Sequence, residues 1–126
     1  MPNYLQFLIV FLGGGLGSCS RYVVSKVISN QLESIFPWGT FTVNIIGCFL
    51  IGIFIGMIQR FQFHPNLTVL LVTGFCGGFT TFSSFSYENY LLLKNSEYLL
   101  GLLYTFMSLC WGFAATFLAI FLIRRF

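Results

Sequence analysis

Read along its length, the chain is a set of long apolar runs interrupted by single charged side chains. Residues 1–20 carry no charge before Arg21 and Lys26, and residues 34–59 are uncharged between Glu33 and Arg60. Residues 61–87, with His64 neutral, run to Glu88, and residues 98–123 lie between Glu97 and Arg124. A bilayer core about 30 Å thick takes about 20 apolar helical residues, so each run is long enough to cross one. The pattern predicts an all-α membrane protein with four transmembrane helices, at about 4–29, 37–60, 66–93 and 97–123, in a single transmembrane domain spanning 1–126. The polar pieces Asn30–Gln31, Gln62–Asn66 and Lys94–Glu97 separate the helices, and Pro37 and Pro65 stand where helices can begin. Strands of a membrane barrel would alternate apolar and polar residues, which runs such as FLIGIFIGMI do not.

Composition narrows the choice. Hydrophobic residues make up 57% of the 126 and charged residues 7%, against a usual charged share of about 25%. Six basic and three acidic side chains are too few to coat a soluble enzyme. Disordered chains are poor in apolar residues, which excludes that class, and so few Lys and Arg build no nucleic-acid-binding surface. With one His, placed at a loop, the sequence offers no nucleophile–base or metal constellation. Met1–Phe7 lacks the basic start of a secretory signal, and Leu16–Cys19, loosely like a lipoprotein cleavage site, lies deep in a span. The four cysteines fall one per span without metal-type spacing and read as small hydrophobes.

Lys and Arg normally mark the cytoplasmic side. Four spans put both termini on one side, with Arg60, Arg124 and Arg125. Lys26 and Lys94 lie opposite, joined by Arg21 if it reaches the interface. Three against two or three leaves two readings. One is insertion both ways, giving an antiparallel dimer of two copies; the other is one-way insertion decided by Arg124 and Arg125. Gly13 with Gly17, and the row Cys48, Gly52 and Gly56, let helix backbones approach closely.

Function must come from polar residues inside the spans. Arg21 lies about 25 Å along a helix from Tyr4, at 1.5 Å per residue. It either snorkels to the headgroups or sits at a pore mouth. Asn44 is deeper, where its plain role is an interhelical hydrogen bond. The main anomaly is Gly74–Glu88, GFCGGFTTFSSFSYE. Gly74, Gly77 and Gly78 weaken the helix, and Thr80, Thr81, Ser83, Ser84 and Ser86 follow with hydroxyls among Phe79, Phe82 and Phe85. A helix broken at membrane depth needs protein or a water-filled cavity to satisfy its backbone. Two readings remain: an ion site, or a kinked packing helix whose hydroxyls bond its own carbonyls. Phe rings carry a positive edge, and Phe82 and Phe85 share one side of a helix. With donors from Asn44 and Thr40 on the second helix, and Tyr104 and Ser108 on the fourth, the lining suits a narrow anion pathway.

At these residues the chain resembles the fluoride channel family known as Fluc or CrcB. The matching pieces are GGGLGSCSRY (Gly13–Tyr22), PWGTFTVNIIGCFLIG (Pro37–Gly52) and GFCGGFTTFSSFSYE (Gly74–Glu88), in the family's order. The resemblance implies an antiparallel, dual-topology homodimer in the cell membrane, in contact with lipid, that exports fluoride passively. By similarity, Asn44 would donate to fluoride and Phe82 and Phe85 would line the pathway through their ring edges. Gly77 and Thr80 would give backbone carbonyls, from both subunits, to a central structural sodium ion. Arg21 would sit near the aqueous vestibule, and Thr40, Thr81, Ser83, Glu88, Tyr104 and Ser108 would be further polar pathway residues. The alternative, a proton-coupled exporter like the small multidrug resistance proteins, needs a carboxylate in the first helix, and residues 1–20 contain none.

Overall fold

A computed structural model describes residues 3–126. Its elements are helices α1 (Tyr4–Gln31), α2 (Trp38–Phe61), α3 (65–79), α4 (Phe82–Lys94) and α5 (Tyr98–Arg125). Four segments are long and apolar enough to cross a membrane, with α3 and α4 together forming the third, and the described residues contain no strand. The spans end within two residues of the lengths expected from the charge punctuation. Asn3 caps α1 by accepting from the Gln6 amide at 2.8 Å. Pro65 opens α3 beside His64, whose Nδ1 accepts from the Asn66 amide at 3.1 Å. Gln62 closes α2 in a left-handed conformation, φ 51°.

Lipid tails are as apolar as the side chains they meet, so close fit rather than apolar burial holds such helices together. α1 packs mainly on α3, and α2 on α5. A Cβ built on Gly13 would come within 2.6 Å of the Leu70 carbonyl oxygen, and one on Gly78 would overlap the Gly14 carbonyl. The Cα atoms of Gly13 and Gly74 thus face each other with no side chain between. On the second interface, a Cβ on Gly52 would reach the Thr116 oxygen at 2.5 Å and one on Gly56 would reach Ile123 at 3.0 Å. The Thr116 hydroxyl adds a hydrogen bond to the Cys48 carbonyl at 2.9 Å. The small-residue rows therefore serve packing within one chain.

The third span breaks, but away from its glycines. Val69–Cys76 winds as a π-helix, a form frequent near functional sites. Gly77–Phe79 continues it as α-helix, and Gly74, Gly77 and Gly78 all keep negative φ. Gly74 and Gly78 serve the approach of α1. The chain opens at Thr80 (φ −86°, ψ 155°) and Thr81 (φ −148°, ψ 115°), two β-branched residues in extended backbone. The Thr80 amide and hydroxyl both bond to the Cys76 carbonyl, at 3.0 and 2.9 Å, closing α3. The Thr81 hydroxyl accepts from the Ser84 amide at 3.1 Å and so caps α4.

Candidate functional site

Asn44 holds the break open. Its Nδ2 donates to the Thr81 carbonyl at 3.1 Å and its Oδ1 accepts from the Thr81 amide at 2.8 Å. A side-chain amide in α2 thus takes the place of a neighbouring strand. One amide hydrogen of Asn44 remains for another acceptor. In a continuous helix the Thr81 amide would bond to Gly77 O, and the Ser84 amide to Thr80 O. Both donors have gone elsewhere, so the Gly77 and Thr80 carbonyls are released from the ladder. The carbonyl of Gly78, also in the last turn of α3, is taken up by Arg21, whose Nε donates at 3.1 Å, with the Ser18 hydroxyl at 3.5 Å. A cation at a helix C-terminus complements its dipole. Arg21 is therefore turned inward against α3. It does not snorkel, and the basic residues at the two ends of the bundle count three against two.

Beside the break runs an open groove of about 560 Å³ between α2, α3, α4 and α5. Asn44, Gly77, Thr80, Thr81, Phe82, Phe85 and Ser108 all line it. Phe82 is 79% exposed there, while Phe85 is partly buried, with its ring centroid 5.7 Å from that of Phe82 and 4.9 Å from that of Tyr104. The Ser108 hydroxyl is buried without a hydrogen-bond partner, so its donor is unspent. Cys48 and Cys76 also line the groove, and all four cysteines are free thiols.

The remaining expected residues gather elsewhere. Glu88 accepts from the Thr40 hydroxyl at 2.5 Å and from the Tyr104 hydroxyl at 2.7 Å, joining α2, α4 and α5 through one carboxylate. Thr40 and Tyr104 are fully committed to the bundle interior. The pairs Thr40 with Asn44, and Tyr104 with Ser108, are thus split: the second of each faces the groove and the first faces Glu88. Thr40 and Glu88 line a smaller, polar cavity of about 230 Å³ with Ser25, Ser29 and Ser34. Those serines were not foreseen, although Ser25 and Ser29 stand four apart at the end of α1 and so share a face. Ser83 is exposed, 3.2 Å from the Thr81 hydroxyl. Asn89, also unforeseen, bonds to the Phe85 carbonyl at 3.1 Å and accepts from Thr105 at 3.2 Å, fixing the backbone that carries Phe85.

A family model described as CrcB-like protein, Camphor Resistance (CrcB), matches residues 8–120. A protein of Gloeothece citriformis named fluoride-specific ion channel FluC is 59% identical over 121 residues, covering 96% of this chain and 98% of the relative. Proteins with the same name from Phocaeicola vulgatus and Leptospira interrogans are 44% and 42% identical, the first covering 93% of this chain and 97% of itself, the second 96% of each.

Proposed function

The chain belongs to the CrcB family, and from that premise we propose that it is a fluoride channel of the cell membrane which exports fluoride passively and works as an antiparallel pair of copies. It is a multi-pass ion channel and not an enzyme. The observation that carries the mechanism is the broken third span opening onto the groove. Irregular backbone does not face lipid at membrane depth, because each unsatisfied group there costs several kcal/mol. The freed carbonyls, Asn44, Thr80, Thr81 and Ser108 therefore need a protein cover. A second copy of the chain supplies one, and the near balance of basic residues supports its inverted orientation.

In this reading fluoride exchanges its hydration for fixed donors. The spare Asn44 hydrogen and the Ser108 hydroxyl supply two of them. Phe82 and Phe85 present positive ring edges and keep the passage narrow. Glu88, with Thr40 and Tyr104, borders the wet end of the path through the smaller cavity. Thr81 and Ser83 add hydroxyls at the break, and Arg21 acts by fixing α3. Gly77 and Thr80 fit a sodium site, because their carbonyls have lost their helical partners and the residues face the groove. Oxygen donors from two copies suit a hard cation. A sodium ion bound there would supply fixed positive charge near the anion path.

Purified protein in liposomes tests the reading. Fluoride should leave without a proton gradient, and chloride should be retained. Chloride efflux at the fluoride rate would refute selectivity, and strict dependence on a proton gradient would favour the exporter. A Cys placed at Asn95, in a chain lacking native Cys, should label from both sides of the cell membrane; labelling from one side alone refutes dual topology. Exchanging sodium for a bulky organic cation should weaken the dimer, and unchanged dimer and flux would remove the sodium site.

A further inference from the structure

We propose that the end of the bundle where α2 and α5 finish binds the phosphate of an anionic phospholipid headgroup. Arg60 lies in the last turn of α2, and Arg124 and Arg125 in the last turn of α5. All three are exposed. Two of them are already positioned: the Arg60 Nη1 donates to the Ile123 carbonyl at 2.8 Å, and the Arg124 Nη2 donates to Gln59 Oε1 at 3.1 Å. These crossed bonds tie each guanidinium group to the end of the opposite helix. Each spends one of its five N–H donors there and keeps the rest, in the planar fork that suits phosphate. Arg125 lies over the Phe121 ring at 5.8 Å and Arg60 over Phe61 at 5.4 Å.

No acidic side chain lies at this end of the bundle. The acidic residues, Glu33, Glu88 and Glu97, lie in the other half of the bundle, where Lys26 and Lys94 near its end and the inward-turned Arg21 balance them, three basic against three acidic. The formal side-chain charge of +3 therefore belongs wholly to Arg60, Arg124 and Arg125. A zwitterionic lipid brings its own amine to its phosphate, whereas an anionic lipid leaves the phosphate unpaired, so the site discriminates by net charge. Phe61 and Phe121, both exposed beside the arginines, offer apolar contact to an acyl chain that a free phosphate lacks. The geometry thus favours the lipid over a soluble anion.

The test titrates the full-length protein in neutral detergent with phosphatidylglycerol or phosphatidylcholine and counts adducts by native mass spectrometry. Wild type should bind phosphatidylglycerol more tightly. At about fivefold per surface arginine, R60Q/R124Q should lose about thirtyfold in affinity for it and little for phosphatidylcholine. K26Q/K94Q, at the other end, should match wild type. Because R60Q/R124Q removes two interhelical bonds, R125Q provides the safeguard: it breaks no hydrogen bond and should lose about fivefold while eluting as wild type. Equal binding of the two lipids, wild-type affinity in R125Q, or an equal loss in K26Q/K94Q would each overturn the proposal. Displacement by glycerol 3-phosphate at concentrations like those of the lipid would assign the site to a soluble anion instead.

Discussion

Asn44→Ala is the sharpest perturbation the fold allows, because it removes both hydrogen bonds that hold Thr81 in extended backbone. If the Thr81 amide and carbonyl stayed unpaired, the cost would be about 1–3 kcal/mol each, or roughly 2–6 kcal/mol together. Interhelical bonds in membranes measure less, about 0.6 kcal/mol on average and at most about 1.7, because the loosened chain finds other partners. Thr81 borders the open groove and lies 3.2 Å from the Ser83 hydroxyl, so replacement partners are close at hand. The lower scale governs, and the expected loss is about 1–3 kcal/mol. Thermal unfolding in detergent should show it as a lowered midpoint, and hydrogen exchange at the Thr81 amide should accelerate. Fluoride flux per folded dimer should fall as well, since the same change removes a donor. Asn44→Asp separates the two effects: its carboxylate still accepts from the Thr81 amide but faces the Thr81 carbonyl with a second acceptor and repels an anion. It should abolish flux and, because it keeps the bond to the Thr81 amide, leave hydrogen exchange there slower than in Ala, even though the charge at membrane depth lowers the unfolding midpoint. If Asn44→Ala unfolds at the wild-type midpoint with unchanged exchange at Thr81, the clamp carries no energy and the argument for the break fails.

Two further predictions address the aromatic lining and the helix contacts. Phe82→Ile should cut fluoride flux sharply with the dimer intact, whereas Phe85→Ile, which also loses its contact with Tyr104, should lower the unfolding midpoint as well; size-exclusion chromatography followed by a fluoride electrode reads both, and normal flux in both variants would remove the ring-edge mechanism. Gly78→Ala should cost about 1–3 kcal/mol by driving a methyl into the Gly14 carbonyl, while Gly15→Ala, with nothing within 4 Å, should be neutral or stabilise by up to about 1 kcal/mol; equal midpoints would refute the backbone contact of α1 and α3.

The spans could be read from the sequence because charges are so costly in a membrane that they punctuate it. The break was legible within Gly74–Glu88, but which residues open was not. Gly74, Gly77 and Gly78 advertise weakness, yet Gly74 and Gly78 are consumed by the approach of α1, a partner sixty positions away that no local pattern reveals. Thr80 and Thr81 open because Asn44, on another helix, receives them. Arg21 illustrates the same limit: its distance along the helix is readable, but the freed Gly78 carbonyl exists only once the break has formed. Asn44, Phe82, Phe85 and Ser108, singled out by their chemistry, line the groove. That Thr40 and Tyr104 turn instead to Glu88 depends on helix rotation, which the weak amphipathicity of such spans leaves open.

The pairing of α2 with α5 bears on how the protein is made. The Thr116 hydroxyl that meets the Cys48 carbonyl lies 68 residues downstream of it. Chains grow at about 5–20 residues per second, so α2 waits roughly 3–14 s in the bilayer before its partner is synthesised. During that interval Gly52 and Gly56 present an unfilled furrow to lipid, and assembly of the subunit is held until the last span emerges. A force-sensing arrest peptide fused behind the chain should register a late pull as α5 inserts. The timing also touches orientation. Arg124 and Arg125 leave the ribosome after three spans have entered the membrane, so the residues best able to tip the chain one way arrive when most of it has already been laid down.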